Sequence, residues 1–310
     1  MKNPVALLGQ SYRTWRALRQ FPGIFSMGDA SKGLRQVVQP NRITEWELRR
    51  WIRKGLTIQN GANGEYEIEV KGTGLSFYWL GSICGGLANG VLQELDPKHP
   101  HYYTTPPVQM TPSSLVLDVG SCEGLFAFRV LKNRQAARVI CFEPSARTAS
   151  FLRRAADKNG VSANLGIEVC AVGRASGEVC FLDSDVPEAN RVVNEGAAHS
   201  VRVRQVSLDD YCRDRKIKLG SADLIKADAE GADLDVIKGA ERVIREGSPQ
   251  VAVTTYHHPE HAAELIRFLR SVQPEYQLRL KGFTVFSDGH GARPVLLQAS
   301  LPVHLRRRTM

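Results

Sequence analysis

The stretch LVLDVGSCEGLFAFRV, Leu115 to Val130, decides how the rest of the chain is read. A run of branched apolar residues ends in Asp118, turns through Gly120 and Gly124, and re-enters an apolar pattern. That is how a buried strand feeding a helix is written. Ligands of open α/β sheets bind where such strands end, so the turn has to be matched to a ligand. A triphosphate loop requires G-x-x-x-x-G-K-[ST], and neither Lys nor Ser/Thr follows Gly124. A dinucleotide fingerprint requires a middle glycine that lets the backbone approach a pyrophosphate, and Cys122 stands in that place. What remains is D-x-G-x-x-x-G, an open turn with the Asp118 carboxylate at its edge, suited to a cationic ligand end such as an α-ammonium. The next apolar run, VICFEP, ends in Glu143. An acidic side chain about twenty residues past the turn accepts hydrogen bonds from two ribose hydroxyls. Ribose plus ammonium points to S-adenosylmethionine.

Working outward, strand patterns alternate with helix patterns from Leu115 to Ser300: SLVLDVG, ARVICFEP, IEVCAVG, ADLIKADAEG, PQVAVTTYHH, YQLRLKGF and RPVLLQAS, separated by EGLFAFRVLKN, ARTASFLRRAADKN, ADLDVIKGAERVIRE and PEHAAELIRFLRSV. This alternation predicts an α/β domain over residues 111–300, a mostly parallel sheet with helices on both faces. Residues 1–110 read differently, as a small α+β cap. Two helical stretches, PVALLGQSYRTWRALRQF and RITEWELRRWIRKG, precede a hairpin in which Tyr66, Ile68 and Val70 alternate, Gly72 and Gly74 turn, and Leu75, Phe77 and Trp79 alternate again. Glycines and prolines in GSICGGLANG and DPKHPHYYTTPPVQMTPSS then read as a connection. A basic tail spans residues 301–310.

Composition is ordinary for a globular chain: 310 residues, 43% hydrophobic and 24% charged, enough for a sizeable core. No apolar run reaches the roughly 18 to 20 residues that cross a bilayer, and no secretory leader pattern opens the chain, so a soluble cytoplasmic protein is expected. The six cysteines are scattered singly, as reduced thiols are. The net charge of +9 raises a nucleic-acid partner, yet the basic groups RRWIRKG and HLRRRTM carry no nucleic-acid motif.

Taken in order, LDVGSCEG, CFEP, CAVGRASG, SLDD, LIKADAEGADLDVIKGAERVI and YHHPEHAAELIRFL resemble the FkbM-type S-adenosylmethionine-dependent methyltransferases. The resemblance implies a class I methyltransferase fold, Rossmann-like, with a seven-stranded sheet whose last strand is antiparallel, and O-methylation of sugars, glycans or natural products. It also implies that Asp118, Gly120 and Gly124 line the methionine side of the cofactor, that Glu143 holds the ribose, and that Ala171 and Val172 lie near the adenine. Cys122 belongs to the same turn but stands where the family carries Asn.

The remaining chemistry falls at two further strand ends. Lys226 and Asp228 are two apart on a strand, hence on one face. Asp228 is expected beside the transferring methyl group and the cofactor, with Lys226 orienting the methyl group or the acceptor oxygen; a structural ion pair is the competing reading. His257 ends VAVTTYHH and matches the histidine of the family's Y-H motif; a neutral imidazole makes it the candidate general base. Asp228, Glu230 and Asp233, with Asp235, form an alternative Mg²⁺ set, but acidic residues also simply suit a helix start, and no metal is expected to be required. The acceptor is expected to be a small molecule or saccharide. A nucleic-acid methyltransferase and a non-catalytic cofactor-binding scaffold stand as alternatives. The first is disfavoured because DAEG lacks the Asn/Asp-Pro-Pro-aromatic motif of exocyclic-amine methylases.

Overall fold

The computed structural model describes residues 21–25, 28, 45–61, 64–184, 190–285 and 292–302. The expected first helix and nearly all of the basic tail lie outside these residues. After residues 21–25 and 28, the described chain forms helix α1 (Glu45–Gly55) and the strands β1 (Leu56–Asn60), β2 (Tyr66–Val70) and β3 (Leu75–Trp79). The expected β2–β3 hairpin forms, with Ile68 opposite Phe77 and Tyr66 opposite Trp79, and β1 adds a third antiparallel strand. The glycine-rich stretch that follows is a helix, α2 (Gly85–Leu95), rather than a plain connection. Leu87, Ala88, Val91 and Glu94 bury one face of it, and that burial outweighs the roughly 1 kcal/mol each interior glycine costs a helix.

The main sheet then builds as expected. Strand β4 (Leu115–Val119), helix α3 (Leu125–Lys132), β5 (Arg138–Phe142), α4 (Ala146–Asn159) and β6 (Leu165–Glu168) follow in alternation. IEVCAVG does not stay one strand: after β6 the chain leaves the sheet, and Ala171–Val172 (β7) joins a second, four-stranded sheet with β8 (Gly177–Leu182), β9 (Arg191–Val193) and β10 (Ser200–Val206).

Helix α5 (Leu208–Asp214) leads to β11 (Leu224–Ala227). ADLDVIKGAERVIRE folds as two helices, α6 (Asp233–Lys238) and α7 (Glu241–Gly247). The break falls at Gly239, where a Cβ would lie 2.1 Å from the Gly173 carbonyl oxygen. Strand β12 (Gln250–Thr254), helix α8 (His261–Val272), β13 (Gln277–Val285) and β14 (Ala292–Ser300) complete the order.

The seven strands run β13-β14-β12-β11-β4-β5-β6. Pairing is parallel from β6 to β12, and β14, last in sequence, inserts antiparallel between β12 and β13. Alternate residues face opposite sides. Leu117, Ile140 and Ile225 pack with Leu208, Val236, Ile244 and Leu265 of the helices on one face. Val116, Val139 and Leu224 pack on the other with Phe128 and Leu152, and this core continues into Ile68, Phe77, Leu87 and Val91 of the N-terminal region. Among the described residues no helix is long and apolar enough to cross a membrane.

Candidate functional site

The β4–α3 turn is shaped by close approach. Gly120 takes φ +70°, and a Cβ there would sit 1.8 Å from the Asp228 carbonyl oxygen. Gly124 takes φ +79° at the start of α3, with no room for a Cβ against Leu152 and Phe128. Between them Cys122 also takes a left-handed φ of 47°, an uncommon conformation for a residue with a side chain. It directs its backbone N–H to Glu143 Oε2 at 3.2 Å.

Around this turn lies a cavity of about 540 Å³, at the carboxyl ends of β4, β5 and β11. Gly120, Cys122, Glu143, Ala171, Val172, Lys226, Asp228 and Glu230 all line it. At its apolar end Phe142, Cys170 and Phe181 join Ala171 and Val172. Glu143 is buried; its Oε1 accepts the Ser145 N–H at 2.9 Å. Burial pushes its carboxyl up to about 7, against the pull of the two backbone donors.

Asp118 and Lys226 are cross-strand neighbours, and they meet as a buried ion pair, Nζ to Oδ1 2.9 Å. Asp118 is fully buried and is not on the cavity wall. Its carboxylate faces the lysine rather than the space where an ammonium group was expected. Lys226 also donates to the Gly120 carbonyl at 2.7 Å, bracing the turn from beneath. Burial alone would lower its pKa; Asp118 and Asp228 outweigh this and hold it above the usual lysine value. The ion-pair reading of Lys226 thus has direct contacts behind it.

Asp228 follows β11 and is fixed from two sides: Tyr103 Oη donates to Oδ2 at 2.7 Å, and Thr254 Oγ1 to Oδ1 at 3.2 Å. His257 lies behind it, off the cavity wall, among three carboxylates. Its Nδ1 is 2.8 Å from Asp233 Oδ2; its Nε2 is 3.2 Å from Glu230 Oε2 and 3.9 Å from Asp228 Oδ1. Burial opposes its charge, but the hydrogen bonds to Asp233 and Glu230 prevail and raise its pKa to about 10. That direction favours the imidazolium, in which both ring nitrogens donate. Asp228, Asp233 and His257 are also the group that could hold a metal ion, with ligand atoms within 4.8 Å of one another. Asp235 of the alternative metal set is exposed and turns away.

Sequence reasoning passed over the segment His99–Tyr103. It was read as a connection, yet His101 lines the cavity and Tyr103 grips Asp228. The runs of prolines hid it. The signal available was an aromatic and histidine cluster, HPHYY, inside a supposed linker.

The profile of the Methyltransferase FkbM domain matches residues 118–279. The 2-O-methyltransferase NoeI of Sinorhizobium fredii (strain NBRC 101917 / NGR234) is 27% identical over 150 residues, 43% of this chain and 60% of that protein. Among solved structures, methyltransferase FkbM from Methylobacillus flagellatus is 21% identical with a TM-score of 0.45, over 64% of this chain and 46% of that one. An O-methyltransferase from Bacillus cereus in complex with SAH is 13% identical with a TM-score of 0.37, over 89% and 98%. The domain profile covers more than half of the chain and spans the glycine turn, Glu143, Asp228 and His257 alike: the protein belongs to the FkbM methyltransferase family.

Proposed function

We propose that the protein is an S-adenosylmethionine-dependent O-methyltransferase acting on a hydroxyl of a sugar, glycan or natural-product metabolite. The observation that carries the cofactor assignment is the cradle around Gly120: a turn a Cβ would fill, opening on a cavity where a buried carboxylate waits at the next strand end. Glu143 would hold the ribose hydroxyls, Ala171 and Val172 the adenine, and Gly120 and Cys122 the methionine part, while Gly124 lets the turn pack against Leu152 and Phe128. When bound, S-adenosylmethionine supplies an electrophilic methyl group, the hard part of the chemistry.

The chain's own task is alignment. Asp228, held by Tyr103 and Thr254, would fix the position beside the methyl group, and Lys226 with Asp118 would keep the turn rigid. Holding two reactants in line accounts for roughly 7 to 11 kcal/mol of barrier lowering in favourable cases. His257 serves in this reading as a fixed positive charge that keeps three carboxylates together. The hydroxyl acceptor is supported by the similarity to a 2-O-methyltransferase.

The test is calorimetry with S-adenosylhomocysteine. We expect wild-type binding and at least a tenfold loss in Glu143→Ala, since each hydrogen bond to a charged group contributes about 1.5 to 3 kcal/mol. An equal dissociation constant in a folded variant would remove Glu143 from the site. A scaffold would bind without ever yielding S-adenosylhomocysteine from S-adenosylmethionine; an enzyme yields it once an acceptor is supplied.

A further inference from the structure

We propose that the N-terminal region builds the acceptor half of the cavity, and that the His101 imidazole there receives the proton of a saccharide hydroxyl as it is methylated. The inference rests on the methyltransferase reading above and assigns the acceptor side, which that reading leaves open.

The cavity has two unlike walls. One is the turn, Glu143 and the apolar end already described. The other comes from Asn89 and Gln93 on α2, from Trp79 on β3, and from His101 and Tyr256. Two amides, each both donor and acceptor, beside aromatic rings with apolar faces suit a hydroxylated ring. Asp228 lines the same cavity, so a hydroxyl seated against these residues would share that space with the methyl group of the proposed cofactor.

His101 is rigidly presented. The next two residues are anchored through Lys281 Nζ to the Tyr102 carbonyl at 2.9 Å, Tyr103 Oη to Asp228 at 2.7 Å, and Gln298 Nε2 to the Tyr103 carbonyl at 2.8 Å. The ring packs edge-on to Tyr256, centroids 5.1 Å apart at 84°, and stacks with His99 at 5.5 Å. Its Nδ1 is buried with no hydrogen-bond partner among the described residues, so the ring meets the cavity through its other edge.

The ring is also neutral where His257 is not. Burial lowers its pKa to about 4, against the raising pull of Asp228 and together with the lowering effects of His99, His257 and Lys281. A lone pair is therefore free at neutral pH. In the step itself the acceptor oxygen bonds to the methyl carbon, the carbon–sulfur bond breaks with its electron pair left on sulfur, and the hydroxyl proton moves to His101 and then to water. Positive charge leaves sulfur as it reaches the imidazole near Asp228, so the cavity's net charge is unchanged until that proton passes to water.

The experiment offers radiolabelled S-adenosylmethionine and a panel of methyl hexopyranosides and pentopyranosides to wild type, His101→Gln and His101→Gly, with S-adenosylhomocysteine affinity and thermal midpoint measured for each. We expect wild type to methylate at least one glycoside. His101→Gln should lose about 100-fold or more in kcat, the usual size for a general base, with KM and S-adenosylhomocysteine affinity close to wild type. His101→Gly should regain rate when free imidazole is added. A His101→Gln enzyme of near wild-type kcat overturns the inference, as does a lost rate matched by lost S-adenosylhomocysteine binding, or a wild type that binds S-adenosylhomocysteine and methylates no glycoside. A wild type that does not bind S-adenosylhomocysteine sinks the methyltransferase reading itself.

Discussion

Glu143 ends β5 with a carboxyl that burial has pushed up to about 7, so near neutral pH it is only partly ionised. Ribose hydroxyls donate to the ionised form, and binding them pulls the proton off. Affinity for S-adenosylhomocysteine should therefore rise as the pH goes from 6 to 8, and Glu143→Gln should flatten that rise; calorimetry across the range reads it directly. His257 has the opposite sign. Its pKa is raised from 6.5 to about 10 by the carboxylates around it. The stability this supplies is complete below the unfolded value, about 6.5, and is lost as pH climbs through the folded one. The difference in melting temperature between wild type and His257→Gln should thus shrink steadily from pH 6.5 to 10. A constant difference would mean that the ring is neutral in the folded protein.

Helices α2 and α3 are joined by a buried ion pair, Arg129 Nη2 to Glu94 Oε2 at 3.2 Å, with both side chains 4% exposed. Arg129 also donates to Tyr102 Oη at 3.1 Å and lies over that ring, 4.5 Å from its centroid. The pair fastens α2 and the segment carrying His101 to the helix that follows the glycine turn. Removing one partner leaves the other charge buried and alone, at a cost of about 3 to 5 kcal/mol. Arg129→Met should lower stability to urea by that order, and Glu94→Gln by less, because the amide still accepts from the guanidinium. If both variants unfold at wild-type urea concentrations, α2 is not held this way. The turn and α3 were legible because a local pattern encodes them. The α2 helix was not, because its glycines are tolerated only through Leu87, Val91 and Glu94 meeting distant partners.

The apolar core on one side of the sheet is continuous from Ile68 and Phe77 through Phe128 to Leu152. Described residues between Ile52 and Val108 thus cover a face that the rest of the chain leaves apolar, and fully burying each large side chain contributes about 1.5 to 3 kcal/mol. A chain beginning at residue 111 is expected to bind hydrophobic dye and to melt without a cooperative transition. A monodisperse fragment with a sharp melt would instead make the N-terminal region a separable unit.

What this sequence determined by itself is whatever rests on neighbours in the chain. The period-2 and period-3.6 apolar patterns laid out the seven strands and most of the helices, and two glycines with Glu143 nineteen residues beyond Gly124 marked the turn that opens on the cavity. Tertiary structure alone decided the electrostatics. Asp118 turned from ligand to ion-pair partner because parallel pairing of β4 and β11 sets it opposite Lys226. His257 is drawn toward its charged form because Asp228, Glu230 and Asp233 close around it. His101 stays neutral because a segment that reads as linker is folded into the cavity wall. A residue's identity sets which charges it can carry; burial and the neighbours brought by the fold set which one it does carry.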